Sequence, residues 1–277
     1  MSEEREQLDI QAIAVDVDGT LLNSDGVASP RTLDALRRCA DAGIMVYVAT
    51  ARPRRLVFRP GEVQGDIRFL TKRGVFYNGA AAFDDTIDAY RHWPMKGGLA
   101  SDLVSIMETH GDRVQIALQF EEKHHSFRLP MTDSDLAHWG FAREDLVPFA
   151  DAKEWDCSKI VAFGEDFDAR AVFDEVVMSF SDRVSVFRSD TGRWIQVMSA
   201  RATKESALQH LLLLRGIASD GLIVFGDDTP DIGMLRTFKH SVAMGNAPTE
   251  AREAAAYVTE SNDEDGIAHA LEKYFGL

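Results

Sequence analysis

Two carboxylates separated by one residue follow the first apolar tract of the chain, in the segment Asp16-Val17-Asp18-Gly19-Thr20. Carboxylates this close repel each other unless a cation or a shared proton relieves the repulsion. Ligands that are all oxygen favour Mg²⁺, which keeps several waters and pairs with substrate phosphate. The alternative is a capped turn in which Gly19 supplies a positive φ angle. Because ligands of open α/β sheets lie beyond the carboxyl ends of strands, a position after a strand favours the metal site.

A second acidic set, residues 226–231 (GDDTPD), follows the apolar run at residues 222–225. In one interpretation Asp228 or Thr229 simply caps the short helix that Pro230 begins. In the other, Asp227 binds the metal and Asp231 has a positioning role. Two acidic sets at the ends of two predicted strands favour a metal site more strongly than either set alone.

Donors suited to a phosphoryl group occur at two further places. Thr50-Ala51-Arg52 follows the second predicted strand. Its hydroxyl and backbone N–H groups can donate to phosphoryl oxygens, although the same tripeptide is typical of a surface turn. Lys204 begins a predicted helix, where a lysine opposes the helix dipole unless an anion lies nearby. The alternative for Lys204 is an ordinary solvated side chain.

The elements that must position these residues alternate between strands and helices. Residues 10–15 and 44–49 are short apolar runs typical of buried parallel strands, and Ser29-Pro30 begins a helix between them that stops at Gly43. The last third of the chain repeats this alternation. Residues 85–188 interrupt it with mixed strand and helix patterns. We therefore expect an α/β protein with a parallel sheet and a second α/β domain inserted into the first.

The charge of the chain restricts its partners. The formal net charge is −15, which disfavours nucleic acid and anionic membranes as partners, so any phosphate site must be local.

The two cysteines, Cys39 and Cys157, lack metal-binding spacing. The first eight residues are acidic and have no apolar signal region, and no apolar run approaches the roughly 20 residues that span a bilayer. We expect a cytoplasmic protein, and no feature indicates an obligate protein partner.

The motifs in their order resemble those of a known family, the haloacid-dehalogenase-like superfamily. The matching segments are DVDGT at residues 16–20, TAR at 50–52, NGA at 78–80, Lys204 and GDDTPD at 226–231. By itself, Asn78-Gly79 indicates only a tight turn. The segments VAMGNA at 242–247 and NDEDG at 262–266 are similar to the Cof-type (class IIB) sugar phosphatase branch. This resemblance implies a Rossmann-like, doubly wound parallel core at residues 1–84 and 189–277, with an α/β cap domain at 85–188 that sets substrate specificity.

The resemblance also implies roles for individual residues. Asp16 would be the nucleophile, and Asp18 would protonate the leaving oxygen and then activate water. The implied Mg²⁺ ligands are Asp16, the backbone carbonyl of Asp18, and Asp227, while Asp231 completes the catalytic set. The implied phosphoryl-binding and substrate-binding groups are the Thr50 hydroxyl, Lys204, the backbone of Val17 and Ala51, Arg52 and Asn78. The expected activity is Mg²⁺-dependent hydrolysis of a small phosphorylated metabolite, a sugar phosphate or a cofactor phosphate, through an aspartyl-phosphate intermediate.

Two residues depart from the family pattern. Ala51 stands where the family usually has glycine, and a positive φ angle there would strain it by roughly 1–2 kcal/mol. Pro230 stands where asparagine is usual, so one phosphate contact worth about 1.5–3 kcal/mol is missing. Two alternatives remain, namely a phosphosugar mutase of the same fold and a non-catalytic sensor of phosphometabolites, for which Pro230 is the hint. The cap is expected to supply specificity, and the candidate residues are Lys123, His124, His125, Arg128, Arg193 and Trp194.

Overall fold

The computed structural model describes residues 9–120, 124–164, 167–188 and 193–277. Lys123 lies outside these residues. The described strands are β1 (Ala12–Val15), β2 (Met45–Ala49), β3 (Arg73–Phe76), β4 (Ala81–Asp84), β5 (Ala89–His92), β6 (Gln115–Gln119), β7 (His125–Phe127), β8 (Lys159–Phe163), β9 (Val184–Arg188), β10 (Trp194–Ser199), β11 (Leu222–Gly226), β12 (His240–Ala243) and β13 (Tyr257–Val258). The described α-helices are α1 (Pro30–Asp41), α2 (Arg68–Thr71), α3 (Gly97–Thr109), α4 (Asp133–His138), α5 (Phe149–Ala152), α6 (Ala169–Phe180), α7 (Lys204–Arg215), α8 (Ile232–Thr237), α9 (Thr249–Ala254) and α10 (Gly266–Ala270), the last continued by a π-helical turn at Leu271–Phe275.

The larger sheet has β1 at the centre of its parallel part. The order of its described strands is β13-β12-β11-β1-β2-β3-β4-β5. All neighbours are parallel except β3 with β4 and β4 with β5, which are antiparallel. From β1 the chain builds β2 and β3 on one side and later β11 to β13 on the other. The carboxyl ends of β1, β2 and β11 therefore surround a topological switch point, and the doubly wound fold is confirmed.

Helices cover both faces of this sheet, which explains the continuous apolar strands. In β1 all four side chains are buried, and alternate residues enter different cores. Ile13 and Val15 pack in the core that includes Leu36 of α1. Ala12 and Ala14 pack in the core that includes Leu208 of α7. A strand buried on both faces needs apolar residues at every position, as observed.

Local capping signals define the helices that flank the site. Ser29 is the N-cap of α1, where its side chain accepts a hydrogen bond from the Thr32 N–H, and Pro30 occupies the first turn. Thr203 caps α7 by accepting from the Ser206 N–H. Gly216 ends α7 with a φ angle of 68°, a left-handed conformation that glycine adopts at little cost. These caps place the first residue of α7, Lys204, with little freedom of position.

The smaller sheet is antiparallel throughout, with the described strand order β7-β6-β8-β10-β9. One face packs against α3 and α6, through residues such as Ile116, Ile160, Leu103 and Val172. Alternate residues of the same strands, such as Gln119 and Lys159, point to the opposite face because side chains alternate along a strand. Among the described residues, α3 and α6 both pack on one face of this sheet. The face that they leave uncovered carries Gln119 and Lys159 and is called the helix-free face.

The predicted domain boundaries, at residues 85 and 188, do not coincide with the points where the chain passes from one sheet to the other. Strand β5 (Ala89–His92) belongs to the larger sheet, and strand β10 (Trp194–Ser199) belongs to the smaller one. The reason is pairing: β10 is antiparallel to both β8 and β9, whereas β5 extends the edge formed by β4. We propose that the inserted cap comprises residues 93–199. Among the described residues, no helix combines the length and apolar character required to cross a bilayer.

Candidate active site

Three aspartates meet where the central strands of the larger sheet end. Asp16 follows β1, Asp227 follows β11, and Asp231 ends the short 3₁₀ turn Thr229–Asp231. One carboxylate oxygen from each residue lies within 4.8 Å of the other two. Parallel strands place their carboxyl ends at one edge of the sheet, which brings together residues more than 200 positions apart in the chain. The predicted convergence of Asp16 and Asp227 is therefore present, with Asp231 as the third carboxylate.

Lys204 bridges two of these carboxylates. Its Nζ lies 2.6 Å from Asp16 Oδ1 and 2.6 Å from Asp231 Oδ1, and its side chain is 2% exposed. Burial lowers the pKa of Lys204, but Asp16 and Asp231 raise it more, so that the net pKa lies above its usual range. The lysine is therefore a fixed cation beside the Asp16 carboxylate. A lysine at the start of a helix is unfavourable unless an anion lies nearby, and here Asp16 and Asp231 are those anions.

The carboxylates carry more negative charge than one lysine balances. Burial raises the pKa of Asp16 well above its usual value, and Asp231 and Asp227 raise it further against the opposing effect of Lys204. Burial likewise raises the pKa of Asp227 to about 7. Raised pKa values of neighbouring carboxyl groups mean that their negative charges are not fully neutralised by nearby cations. The oxygen-only donor set and its spacing fit a hard divalent cation such as Mg²⁺.

The loop after β1 fixes Asp227. Thr20 Oγ1 donates a hydrogen bond to Asp227 Oδ1 at 2.5 Å. Gly19 has a φ angle of 83°, and a β-carbon at this position would overlap the Asp227 carboxylate. Gly19 is thus required both for the turn and for the close approach of Asp227. The sequence pattern singled out both residues as part of the motif but did not reveal their contact with Asp227.

Asp18 points away from the three-aspartate cluster. Arg52 Nε and Nη2 donate to Asp18 Oδ2 and Oδ1 at 2.8 and 2.5 Å. The same guanidinium donates to Glu62 Oε2 and Oε1 at 2.5 and 3.0 Å. Two bidentate pairs on one arginine fix its plane, so Arg52 orients the Asp18 carboxylate. Sequence reasoning missed Glu62, which carries no motif of its own.

The segment after β2 places the buried Thr50 next to the Arg52–Asp18 pair. The Thr50 side chain is completely buried, and its hydroxyl oxygen accepts from the Arg52 N–H at 3.1 Å. Ala51 is absent from the described residues with positive φ angles, so the strain considered for alanine at this position does not arise. Val17 is likewise completely buried, in the loop between Asp16 and Asp18.

Asn78 lies in a strained turn beside the start of α7. Tyr77 and Asn78 have φ angles of 52° and 53°. The Asn78 side chain is buried, and among the described residues neither its Oδ1 nor its Nδ2 has a hydrogen-bond partner. The adjacent Gly79 contacts the backbone of Thr203 so closely that no β-carbon fits there. Buried amides without partners are costly, which favours a ligand contact for Asn78.

Pro230 does not disturb the second acidic loop. It occupies the first turn of the 3₁₀ helix Thr229–Asp231, where a missing N–H costs nothing. Asp228 caps this helix by accepting from the Thr229 N–H at 2.7 Å. Asp231 Oδ2 accepts from the backbone N–H groups of Asp227 and Asp228 at 3.0 and 3.1 Å. The capping interpretation therefore holds for Asp228, while Asp231 organises the loop and binds Lys204.

The cap contributes Lys159, a residue that sequence reasoning missed. Its Nζ donates to the Ala51 carbonyl at 2.8 Å and to Gln196 Oε1 at 3.1 Å, and so joins the cap to the core loop after β2. Burial lowers the pKa of Lys159 to about 7, against a raising effect of Asp18. Its only sequence signal is a lysine at the start of an apolar strand.

The described specificity candidates in the cap separate into four groups. His125 is buried against Phe141, with ring centroids 3.8 Å apart, and burial lowers its pKa to about 2. Arg128 Nη1 donates to the backbone carbonyls of Asp112 and Val114, which makes it part of the cap framework. His124 is exposed. The pair that lines a cavity on the helix-free face of the cap is Arg193 and Trp194.

A family model for haloacid dehalogenase-like hydrolases matches residues 13–271 of this chain. The chain belongs to this family. The resemblance that the motifs indicated is confirmed, including its Cof-type branch. This hydrolase is a phosphomonoester hydrolase, as its family and its similarity to named phosphatases show.

Curated relatives from Bacillus subtilis (strain 168) match almost the whole chain. The 5-amino-6-(5-phospho-D-ribitylamino)uracil phosphatase YcsE is 27% identical over 272 residues, which cover 98% of this hydrolase and 98% of the relative. A second relative described as a 5-amino-6-(5-phospho-D-ribitylamino)uracil phosphatase, YitU, is 28% identical over 283 residues, which cover 96% of this hydrolase and 97% of the relative. A solved structure of a HAD subclass IIB sugar phosphatase superposes with a TM-score of 0.79 at 23% identity, over 96% of this hydrolase and 99% of that chain, and shows the same fold.

Proposed function

We propose that this hydrolase is a Mg²⁺-dependent cytoplasmic phosphatase of small phosphorylated metabolites and that Asp16 carries the phosphoryl group between the two halves of the reaction. The observation that supports this most directly is the position of Asp16. Its Oδ1 is held by the buried Lys204 ammonium, and Asp227 and Asp231 lie within 4.8 Å. Lys204 offsets the repulsion between a carboxylate nucleophile and an anionic phosphoryl group.

In the first step an Asp16 carboxylate oxygen attacks phosphorus in line with the leaving oxygen. The bond from phosphorus to that oxygen breaks, and Asp18 gives the leaving alkoxide its proton. In the second step Asp18 takes a proton from water, the water oxygen attacks phosphorus, and the bond to Asp16 breaks. Phosphate is released and Asp16 is restored. Proton transfer of this kind typically contributes a factor of about 10²–10⁴ in rate.

Arg52 affects both steps through its contact with Asp18. Both Asp18 oxygens are engaged by Arg52, so one of them must leave the guanidinium when it carries the proton. An incoming phosphoryl group competes for the same donors, which would free that oxygen when substrate is bound. The Thr50 hydroxyl, the backbone of Val17 and Ala51, and the Asn78 amide are the further donors that we assign to substrate oxygens.

The residues that would hold Mg²⁺ are Asp16 and Asp227 through their carboxylates and Asp18 through its backbone carbonyl. When bound, the ion supplies charge neutralisation and orientation to the phosphoryl group. Asp231 and Thr20 act on this set indirectly. Asp231 anchors Lys204, and Thr20 fixes one Asp227 oxygen.

The substrate class is supported by the names of the relatives, two of which are phosphatases of a phosphoribitylaminouracil. Sugar phosphates and cofactor phosphates are both small phosphorylated metabolites of the proposed class. The net charge of −15 disfavours polyanionic partners such as nucleic acid. A phosphosugar mutase would return the phosphoryl group to the sugar, so measuring free phosphate against isomerised sugar phosphate distinguishes the two reactions.

The test is the variant Asp16→Asn, assayed for phosphate release from a panel of phosphometabolites with Mg²⁺. We expect loss of turnover with retained folding, and phosphate on the Asp16 peptide in acid-quenched wild-type protein examined by mass spectrometry. Asp34→Asn serves as the control because Asp34 is exposed on α1 and forms a surface ion pair with Arg38. Turnover above a few per cent of wild type in Asp16→Asn would rule out the covalent route.

A further inference from the structure

The helix-free face of the cap sheet carries buried amide side chains. Gln115 and Gln119 lie on β6 and Gln196 on β10, and their exposed fractions are 7%, 4% and 9%. Gln119 pairs directly with Lys159 of β8 in antiparallel register, so both side chains lie on one face about 5 Å apart at Cβ. Buried amides are retained where their polar atoms find partners.

A cavity of about 570 Å³ covers this face. Its lining shares Gln119, Lys159 and Trp139 with a neighbouring cavity of about 300 Å³, which reaches Ala51 and Arg52. The combined space runs from the loop that holds the phosphoryl group to the cap sheet. Its size is typical of sites for small metabolites. An alcohol esterified to the phosphoryl group at Asp16 would extend into this space.

Hydrogen bonds inside the cap occupy several of the polar atoms that line the space. Gln115 Oε1 accepts from the Ile116 and Leu129 N–H groups, and its Nε2 donates to the Leu129 carbonyl. Gln196 Oε1 accepts from Lys159. By contrast, Gln119 Oε1 is buried without a donor among the described residues. In its charged form the Lys159 side chain has three N–H groups and two described acceptors, so one N–H remains for a ligand.

The wall of the space is aromatic and rigid. Trp139 stacks on Phe163 with ring centroids 5.4 Å apart and meets the edge of Phe127 at 5.5 Å. No aspartate or glutamate is among the described lining residues, so a cationic ligand finds no counter-ion here. The lining therefore offers an acceptor at Gln119 Oε1, a donor at Lys159 Nζ and a flat apolar surface at Trp139.

We propose that Gln119, Lys159 and Trp139 form a leaving-group subsite for an uncharged planar heterocycle that presents a ring N–H beside a ring C=O. The ring N–H donates to Gln119 Oε1, the ring carbonyl accepts from Lys159 Nζ, and the ring stacks on Trp139. This subsite rests on the proposed phosphatase function.

Three phosphate esters with the same ribityl phosphate test the proposal. Riboflavin 5′-phosphate carries the N–H and C=O edge, its N3-methyl derivative keeps the ring but lacks the N–H, and ribitol 5-phosphate lacks the ring. We expect kcat/KM to fall at least tenfold from the first to the second and again to the third. Equal values for the first two esters would overturn the role of the N–H contact, and equal values for all three would overturn the subsite.

A pair of glutamine variants assigns the contact to Gln119. Gln119→Met removes the acceptor, so we expect the preference for riboflavin 5′-phosphate over its N3-methyl derivative to disappear. Gln115→Met is the matched control, because Gln115 lies on the same strand and face but its amide is bonded within the cap. The preference should persist there even if the variant is less stable. Loss of preference in both variants, or in neither, would contradict the assignment.

Binding of the dephosphorylated alcohols separates this proposal from the proposed function. Riboflavin and N3-methylriboflavin need no chemistry at Asp16, and quenching of tryptophan fluorescence reports their binding. If no ester is hydrolysed but riboflavin still binds at least tenfold tighter than the methyl derivative, the reaction assignment fails and the subsite stands. If generic phosphate esters are hydrolysed with Mg²⁺ but neither flavin binds, the subsite fails and the phosphatase stands.

Discussion

Lys204 Nζ lies 2.6 Å from Asp16 Oδ1, although 188 residues separate the two in the chain. Both side chains are almost fully buried, and Asp231 completes the contact from the other side of the lysine. The contact holds the proposed nucleophile in place before any substrate arrives. It also means that one cation stabilises carboxylates from two separate chain segments.

Lys204→Met should therefore affect stability and activity together. Removing one partner of a buried ion pair leaves uncompensated charge, which costs about 3–5 kcal/mol in the free energy of unfolding. We expect this loss in urea titrations with EDTA, a smaller loss with saturating Mg²⁺, and a strong decrease in kcat. Lys239→Met is the control, since Lys239 forms an exposed pair with Asp220 at 3.6 Å and should cost less than about 1 kcal/mol. Equal destabilisation of the two variants would contradict a buried charge network.

Binding of Mg²⁺ should release a proton near neutral pH. The pKa of Asp227 is raised to about 7, so the metal-free site holds this proton below pH 7. Affinity should then rise about tenfold between pH 6 and pH 8. Titration calorimetry in two buffers of different ionisation enthalpy measures the released proton. The Asp227→Asn variant should bind weakly without this pH dependence, and a wild-type affinity that is constant from pH 6 to 8 would refute the linkage.

The same pKa determines how the metal-free protein responds to pH. An unfolded aspartate ionises near pH 3.8, whereas folded Asp227 ionises near 7, so the native state binds more protons between these values. Stability should decrease as the pH rises through this window. Urea titrations in EDTA at pH 5 and pH 7 check this, and Mg²⁺ should remove the decrease because the ion replaces the proton. A metal-free protein that gains stability over this range would contradict the assignment.

Local sequence signals were sufficient to predict the strands and the helix start that position the site. Apolar runs predicted β1, β2 and β11, and Ser29-Pro30 predicted the start of α1, because burial and capping depend on adjacent residues. Strands β3, β4 and β5 have sequences RGVF, AAFD and AYRH, in which few branched residues distinguish a strand from a loop. Residues 194–199, which form β10, were included in the predicted core range because the pairing of β10 with β8, about 30 residues earlier, cannot be seen locally.

The side-chain contacts of the site could not be predicted from the sequence alone, because they depend on which strand ends meet in the fold. The acidic motifs identified Asp16 and Asp227, the helix start and the family resemblance identified Lys204, and the fold places the three together. The motifs did not reveal that Arg52 pairs with Asp18 and Glu62, because Glu62 lies in an irregular segment without a periodic pattern. Lys159 was missed for a similar reason, since its contact with the Ala51 carbonyl requires the cap to close on the core.

Two glycine variants separate backbone strain from disruption of Asp227, the proposed metal ligand. Gly19 and Gly26 have φ angles of 83° and 75°, so alanine at either position costs about 1–2 kcal/mol. A β-carbon at Gly19 overlaps the Asp227 carboxylate, whereas none of the described atoms lies within 4 Å of one at Gly26. We expect Gly19→Ala to weaken Mg²⁺ binding at least tenfold and Gly26→Ala to leave it unchanged, as measured by calorimetry. Similar Mg²⁺ affinities in the two variants would show that Gly19 serves the turn alone.

Arg52→Lys tests whether the orientation of Asp18 limits the reaction. A lysine cannot reproduce two bidentate contacts, so the Asp18 carboxylate loses its fixed position. Misplacement of a reacting group by about 1 Å costs on the order of 10² in rate, and we expect a decrease of this size in kcat. Affinity for Mg²⁺ should persist, because the Asp18 side chain lies outside the Asp16, Asp227 and Asp231 cluster.

Arg54→Lys provides the matched control for Arg52→Lys. Arg54 lies two residues further on and pairs with Asp85 at 2.8 Å while stacking on Phe83, away from Asp18. Its replacement should leave kcat within about twofold of wild type, since surface substitutions away from the reacting groups have small effects. If Arg52→Lys lowered Mg²⁺ affinity as strongly as kcat, Arg52 would act on the metal site. If it raised KM and left kcat unchanged, Arg52 would bind substrate without orienting Asp18.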